Sequence, residues 1–331
     1  MAQASFGYFG IGIETTPGTA VPPTKFLPVK DVDFPIETDF IEIREIRGSR
    51  QAYSTFDGPV RPNVSFTSSF YPAGAMGVLL KGLFGTSSAA QVATSTIAWT
   101  HTFGDAAVLP SLSMERSDAR ADGAGVILQR LNGVKVESMG FSAAYGEDVE
   151  VSVQGQGLGF PTTPGAKPVS FTNTPTMNPF IFTGAAIEVD GVANNLFKSI
   201  DFEFTNTLER QESLRGTREA FKMYEGGLDC TLSGTLIFDD LILYNKLKNS
   251  EYLTVTAMFT GDLADPATTP DTFFTARFHW PKVKVSSFGI PMTAGEVMEA
   301  DVEFNVSFDF ATNKLVDVQL TNLDNTTAYN T

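Results

Sequence analysis

The sequence predicts an all-β protein: two tandem β-sandwich or barrel domains, each with one flanking α-helix and a long inter-strand loop. Three observations carry this. A block at RGSRQAYSTFDG (47–58) is written again as RGTREAFKMYEG (215–226). Short stretches of strict apolar–polar alternation, the period of a strand with one buried face, recur in both halves. Each half also holds one compact apolar segment with helix boundaries.

The repeat is extensive. Arg47, Gly48, Arg50, Ala52 and Gly58 align with Arg215, Gly216, Arg218, Ala220 and Gly226 at a shift of 168 (215 − 47). Tyr53, Phe56 and Asp57 fall on Phe221, Tyr224 and Glu225. Upstream, VKDVDFPIE (29–37) meets FKSIDFEFT (197–205), and downstream NVSFTSSF (63–70) meets TLSGTLIF (231–238). A second block, GVKVESMGF (133–141), meets KVKVSSFGI (282–290) at a shift of 149 (282 − 133). The first copy is therefore 19 residues longer between the blocks (168 − 149), and TSSAAQVATSTIAWTHTFGD (86–105) is the natural insertion. Ungapped blocks in one order read as a duplicated folding unit. The expected organisation is an N-terminal arm over 1–25, a first domain over 26–160, a Gly/Pro/Thr linker over 161–175 and a second domain over 176–331.

The elements follow in order. Val32, Phe34 and Ile36 alternate with polar neighbours, and Ile200, Phe202 and Phe204 alternate with Asp201, Glu203 and Thr205. The connections 38–62 and 206–230 exceed 20 residues each, a length that in compact domains marks function or disorder. PAGAMGVLLKGLFG (72–85) reads as a helix with Pro72 near its start and Gly85 beyond its end, and DDLILYNKLKNS (239–250) as one opened by acidic residues. Val149, Val151 and Val153 oppose Asp148, Glu150, Ser152 and Gln154. In the last strand Ala300, Val302, Phe304, Val306 and Phe308 share one face, and Glu299, Asp301, Glu303, Asn305 and Ser307 the other.

Composition limits the function. The chain has 331 residues, 42% hydrophobic with 28 Phe, enough to fill substantial cores. No apolar run approaches the ~20 residues that span a bilayer. The N-terminal MAQASFGYFGIGIETTPGT lacks basic residues and reaches Glu14 before a signal-like core forms, which points away from export and membrane insertion. The single cysteine, Cys230, forbids an internal disulfide framework and suits assembly in a reducing cytoplasm. Lys and Arg total 23 against 38 Asp and Glu, a net charge of −15. Such a surface repels phosphate and argues against a sequence-specific DNA binder, while fitting a surface that DNA must not stick to.

Catalytic chemistry is missing from the pattern, so no catalytic, cofactor or metal residue is assigned and an enzyme is not expected. His101 lies in the insertion, and His279 sits on a Phe-rich strand with no second ligand at metal spacing. Gly155-x-Gly157-x-Gly159 is followed by Pro161 and Pro164 where a phosphate-binding helix would start, so it reads as linker. Glu299, Asp301 and Glu303 form a ladder on one strand face, not a cage. What remains is assembly. Arg47, Arg50, Tyr53 and Phe56, with their repeats Arg215, Arg218, Phe221 and Tyr224, mark either a hairpin arm packed on its own domain or an arm docking on an adjacent subunit. In the second case the arginines meet acidic groups and the aromatics are buried anchors.

GIGIETTPGTAVPPTKFLPV, the strand after it, and the long loop ending at RPNVSFTSSF resemble the major tail tube proteins of long-tailed bacteriophages. The resemblance is strongest over residues 7–85, and the repeat extends it over most of the chain. It implies a β-sandwich with a flanking helix, six such domains per ring, inner strands joined into one barrel, and rings stacked into a tube. It also implies that the long loops contact the next ring. The usual member has one tube domain; two here imply rings of three chains with pseudo-sixfold symmetry. The implied partners are the chain itself, the tape measure protein, tail-end proteins, and genomic DNA passing through without specific binding. No membrane is implied, and the location is the virion tail, with assembly in the host cytoplasm. On this reading Glu150, Glu299, Asp301 and Glu303 are candidates for an acidic lumen wall. Two alternatives stand beside it. One is a related ring at a tube end, such as a distal tail, baseplate hub or head–tail joining protein. The other is a carbohydrate-binding β-sandwich, which would need exposed aromatic platforms where only Trp99 and Trp280 supply tryptophan.

Overall fold

A computed structural model describes the chain apart from residues 1, 47, 49, 52–53, 73, 121–125, 164–176, 215, 293–296, 326–328 and 330–331. The first half runs β1 (Ala2–Ile13), β2 (Lys25–Leu27), β3 (Asp31–Asp33), β4 (Ile36–Ile43), β5 (Ser54–Ser69), α1 (Gly74–Phe84), β6 (Gly85–Gln91), β7 (Trp99–Asp105), β8 (Leu112–Arg120), β9 (Val126–Ala144) and β10 (Glu150–Gln156). The second runs β11 (Ala185–Val189), β12 (Val192–Ala193), β13 (Phe197–Gln211), β14 (Lys222–Ile237), α2 (Ile242–Asn249), β15 (Leu253–Asp265), β16 (Thr272–Gly289), β17 (Glu299–Val306) and β18 (Asp317–Asn322). The class is all-β, and the named strand pairs among the described residues are antiparallel.

Two long strands turn the fold around its corners. β9 pairs with β8 through its first part and with β10 from Lys135 to Ser142. β16 likewise pairs with β15 up to Val283 and with β17 from Val283 to Gly289. Each therefore belongs to two layers, as strands do at the corners of a sandwich. One layer runs β3 and β4, then β5, β10, β9, β13, β14, β17 and β16 without a break. The other is formed by β2–β1–β8–β9 of the first half and by β12–β11–β15–β16–β18 of the second, which the first-half hairpin β7–β6 extends beyond β18.

Alternation decides which face of the unbroken layer is buried. Phe66, Val151, Val153, Met139, Phe141, Phe202, Phe204, Leu232, Val302 and Phe304 all point into the core. Phe141 stacks on Phe202 with ring centroids 4.9 Å apart, and Trp280 meets Phe202 edge-on at 5.0 Å. Fully burying one such ring contributes about 1.5–3 kcal/mol. α1 is apolar apart from Lys81 and is correspondingly buried, with Met76, Leu79, Leu80 and Leu83 in the core. It ends where Gly85 adopts φ +105, a conformation that glycine takes without strain. α2 buries only Leu243 and lies on β16, and just before it Asp240 Oδ1 accepts from Ile242 N–H at 2.9 Å.

The expected long loops are largely strand, which corrects the reading from sequence. β4 and β5 stay paired from Ile36↔Pro62 to Ile43↔Ser54, and β13 and β14 from Phe197↔Leu236 to Gln211↔Lys222. Each connection shrinks to about ten residues, 44–53 and 212–221, at the tip of a hairpin arm. A two-stranded ribbon that leaves its sheet has no core to alternate against, so its sequence shows no strand period. Phe308 is a second correction: β17 stops at Val306, and Phe308 is exposed beyond it.

Residues 1–25, expected as an arm, contain β1, which pairs with β2 and β8 of the same chain. Segment 86–105 is almost entirely the β6–β7 hairpin, whose β7 pairs with the C-terminal strand β18. Of the expected linker, Thr162 bridges to Arg130, and 164–176 lie outside the described residues. The two arms have one geometry. Their register breaks between Thr38 and Phe40 and between Asn206 and Leu208, positions 168 apart, and Gly48 and Gly216 take φ +75 and +74 near the tips.

Candidate functional site

The outer face of the unbroken layer is polar from edge to edge. Register sets Ser69, Glu150, Ser142, Asp201, Ser233, Glu303 and Ser287 side by side on successive strands. The adjacent row is Asp31, Thr67, Ser152, Gly140, Glu203, Thr231, Asn305 and Lys284. Between these rows lies a shallow groove of about 260 Å³ lined by Glu150, Asp201, Glu203 and the serines and threonine around them. Hydroxyls hydrogen-bond water freely and carboxylates repel phosphate, so this face suits a non-adhesive surface.

All four acidic candidates lie on this face, in unequal settings. Lys30 pairs with Glu150 at 2.6 Å and with Asp148 at 3.2 Å, and Lys198 pairs with Glu299. The hydrogen bond from Lys30 to Glu150 holds the ammonium above its ordinary range. Asp301 accepts from Thr235 Oγ1 at 2.9 Å, and among the described residues neither it nor Glu303 has an ion pair. Asp201 and Glu203, which sequence reasoning did not single out, stand exposed between them. The alternation IDFEFT places these two on an outer face, but only strand pairing brings them near Glu150, through β9, and near Glu303, through β14.

The arm residues fare differently. Arg218 is turned onto the first half of its own chain: Nε donates to Gly58 O at 2.8 Å, Nη1 to Asp57 Oδ2 at 3.1 Å, and the guanidinium lies 5.5 Å from the Phe160 ring. Glu225 is buried against Lys135 of β9. Burial alone would raise the Glu225 carboxyl, but the Lys135 ammonium outweighs it and holds the group below the usual range. Arg50, Phe56, Phe221 and Tyr224 are exposed, the last with Lys222 Nζ 4.8 Å from its ring centroid. Arg47, Tyr53 and Arg215 lie outside the described residues. Ile46 and Leu214, two residues that sequence reasoning passed over, are fully exposed apolar side chains near the two tips.

The N-terminal motif is structural. A Cβ on Gly10 would lie 2.7 Å from Pro23 Cβ, and one on Gly12 2.7 Å from Pro22 O, so both glycines admit the proline segment against β1. Buried Glu14 accepts from Gly18 N–H, Ser111 Oγ, Ser113 Oγ and Gly133 N–H at 2.7–2.9 Å. His101 is tied to Asp324 O at 2.9 Å and His279 to Thr256 at 2.8 Å, and burial lowers both imidazoles. Part of residue 230 reaches the surface, yet burial of its sulfur pushes the Cys230 thiol up to about 12, away from reactivity. Among the described residues no group of three or more His, Cys, Asp or Glu is placed to hold a metal ion, and no helix is long and apolar enough to cross a membrane.

No individual curated protein matches the chain. A family model described as phage tail tube protein matches residues 7–311, and that span takes in both arms, both helices and the whole unbroken layer. The chain belongs to the phage tail tube protein family, a structural component of the virion tail that assembles with itself and with other tail parts.

Proposed function

We propose that three chains close into a ring of six tube units, that rings stack into the tail tube, and that the polar sheet face lines the channel. The observation that carries the reading is the unbroken layer itself, in which strands of the two halves stand side by side through the β9–β13 pairing. Support for two equivalent units comes from their coincident geometry. β5 and β14 have the same bounds at a shift of 168, β10 and β17 begin together at 149, and the arms break register at the same place. The role is structural, not enzymatic.

Three chains at −15 place −45 on a ring. Because screening confines each charge to about 8 Å at physiological salt, only the wall-facing carboxylates act on passing DNA. The chain's further partners are the tape measure protein inside the tube and the proteins that cap its ends. Electron microscopy of the purified, assembled protein tests the ring: three chains per ring are expected, and six would refute the count. An end ring would not polymerise, so filaments also separate that alternative.

Stacking falls to the arm tips. Head-to-tail contacts along an axis do not close and so propagate. Ile46→Asp together with Leu214→Asp should leave subunits folded, because both side chains are solvent-exposed, and should abolish tubes while sparing rings. Tubes of normal length from that variant, seen by negative-stain microscopy, would remove the tips from the interface.

A further inference from the structure

We infer that the seam between neighbouring chains in the ring copies the seam inside the chain, strand for strand: Phe34–Glu37 of one copy pairs antiparallel with Ser287–Ile290 of the next. The inference rests on the reading of the chain as two tube units in a closed ring.

The internal seam is fully specified. β13 meets β9 with Phe202↔Phe141, Glu203↔Gly140, Phe204↔Met139 and Thr205↔Ser138. Shifting β13 back by 168 and β9 forward by 149 turns these into Phe34↔Ile290, Pro35↔Gly289, Ile36↔Phe288 and Glu37↔Ser287. The backbone of both partners is shaped alike. β9 steps register between Val136 and Ser138 against β10, and β16 steps between Val285 and Ser287 against β17.

Both proposed edges lack a strand among the described residues. β3 and β4 pair with β5 on one side only, and beyond Val283 β16 pairs with β17 only. Exposure separates the two seams. Phe204 is 0% exposed inside the chain, whereas its counterpart Ile36 is 41% exposed at the edge. Pro35 does not obstruct the pairing. Its carbonyl accepts from Asn63 N–H at 2.8 Å, so its missing N–H faces β5 and not the seam. In the free chain the edge is blunted locally: Asp33 Oδ1 accepts from Phe34 N–H at 2.8 Å, and Arg116 donates to Val32 O at 3.1 Å. The Arg116 contact sets the limit of the seam at Phe34.

An ion pair follows from the same operation. Inside the chain Lys135 pairs with Glu225 and reaches Met223 O at 3.4 Å. The transformed pair is Lys284 with Asp57 of the adjoining copy. Lys284 has no acidic partner among the described residues and lies 4.4 Å from the Tyr252 ring centroid. The Asp57 side chain is 64% exposed where that of Glu225 is 11%.

Cysteine crosslinking tests the register. In a Cys230→Ser background, Glu37→Cys with Ser287→Cys places two thiols on directly opposed residues, a Cα separation of about 4.5–5.5 Å that a disulfide can span. After assembly and mild oxidation, a non-reducing gel should show dimers and a ladder that ends at three chains. Glu37→Cys with Phe288→Cys, whose side chains face opposite ways, should give none. Tubes seen by microscopy without the 37–287 bond would overturn the seam and leave the tube reading intact. A chain that stays monomeric at high concentration would overturn both. As a readout free of cysteine chemistry, Lys284→Glu should keep the thermal midpoint of the monomer and weaken ring assembly at least about tenfold; unchanged assembly would remove the Lys284–Asp57 contact.

Discussion

Glu14→Ala should be among the most damaging single substitutions in this protein, lowering stability by about 3–5 kcal/mol. The carboxylate is buried and takes four donors, the Gly18 and Gly133 amides and the hydroxyls of Ser111 and Ser113. Alanine strands two backbone N–H groups in the interior, each costing about 1–3 kcal/mol when left without a partner. The hydroxyls can rotate towards other acceptors, but the amides are fixed by β9 and by the turn at Gly18. Gln keeps one carbonyl oxygen and turns the other position into a donor, so Glu14→Gln should fall between Ala and wild type. Thermal unfolding of the monomer measures this, with Glu42→Ala on the exposed first arm as the surface control. A midpoint for Glu14→Ala no lower than that control would show that the network does not hold β1, the proline segment and β8 together.

Glu14 also shows why the motif was legible while its meaning was not. GIGIETTPGT can be recognised in a linear string, but the acceptor role of Glu14 depends on residues about 100 positions away. The same division runs through the molecule. The alternation in β13, β10 and β17 can be read because each has one face on a core, and α1 and α2 can be read from their ends. The first arm could not be read as strand because a ribbon exposed on both sides leaves no period, and the second buries its inner side on distant residues such as Lys135 that no local pattern shows. Nor could the acidic face be assembled. Glu299, Asp301 and Glu303 are neighbours on one strand, whereas Asp201 and Glu203 join them only through two strand pairings, β13–β14 and β14–β17. Arg218 shows the opposite problem. Its repeat with Arg50 was visible, but the sequence left open whether it reached its own chain or another, and the bonds to Asp57 and Gly58 place it on its own.

On the proposed assembly, reversing charge on the polar face should turn a wall that releases DNA into one that holds it. Asp201→Lys, Glu203→Lys and Glu303→Lys together shift the charge of each chain by +6 relative to wild type, +2 per site, at exposed positions. Each exposed change should alter stability by no more than about 0.5 kcal/mol, so folding and tube growth should survive. Lysines on adjacent strands of one face would then offer phosphate a row of cations. If about six phosphates are neutralised, affinity should fall by roughly 10³ between 50 and 200 mM salt, the signature of counterion release. Wild-type tubes should retain no DNA under either condition. The location of the bound strand decides the orientation of the face. Short DNA held by the variant inside a tube should resist nuclease and become sensitive once the rings are dissociated. DNA that binds the variant tubes but is digested at once would put this face on the outside, and the smooth acidic wall would have to be sought among other residues.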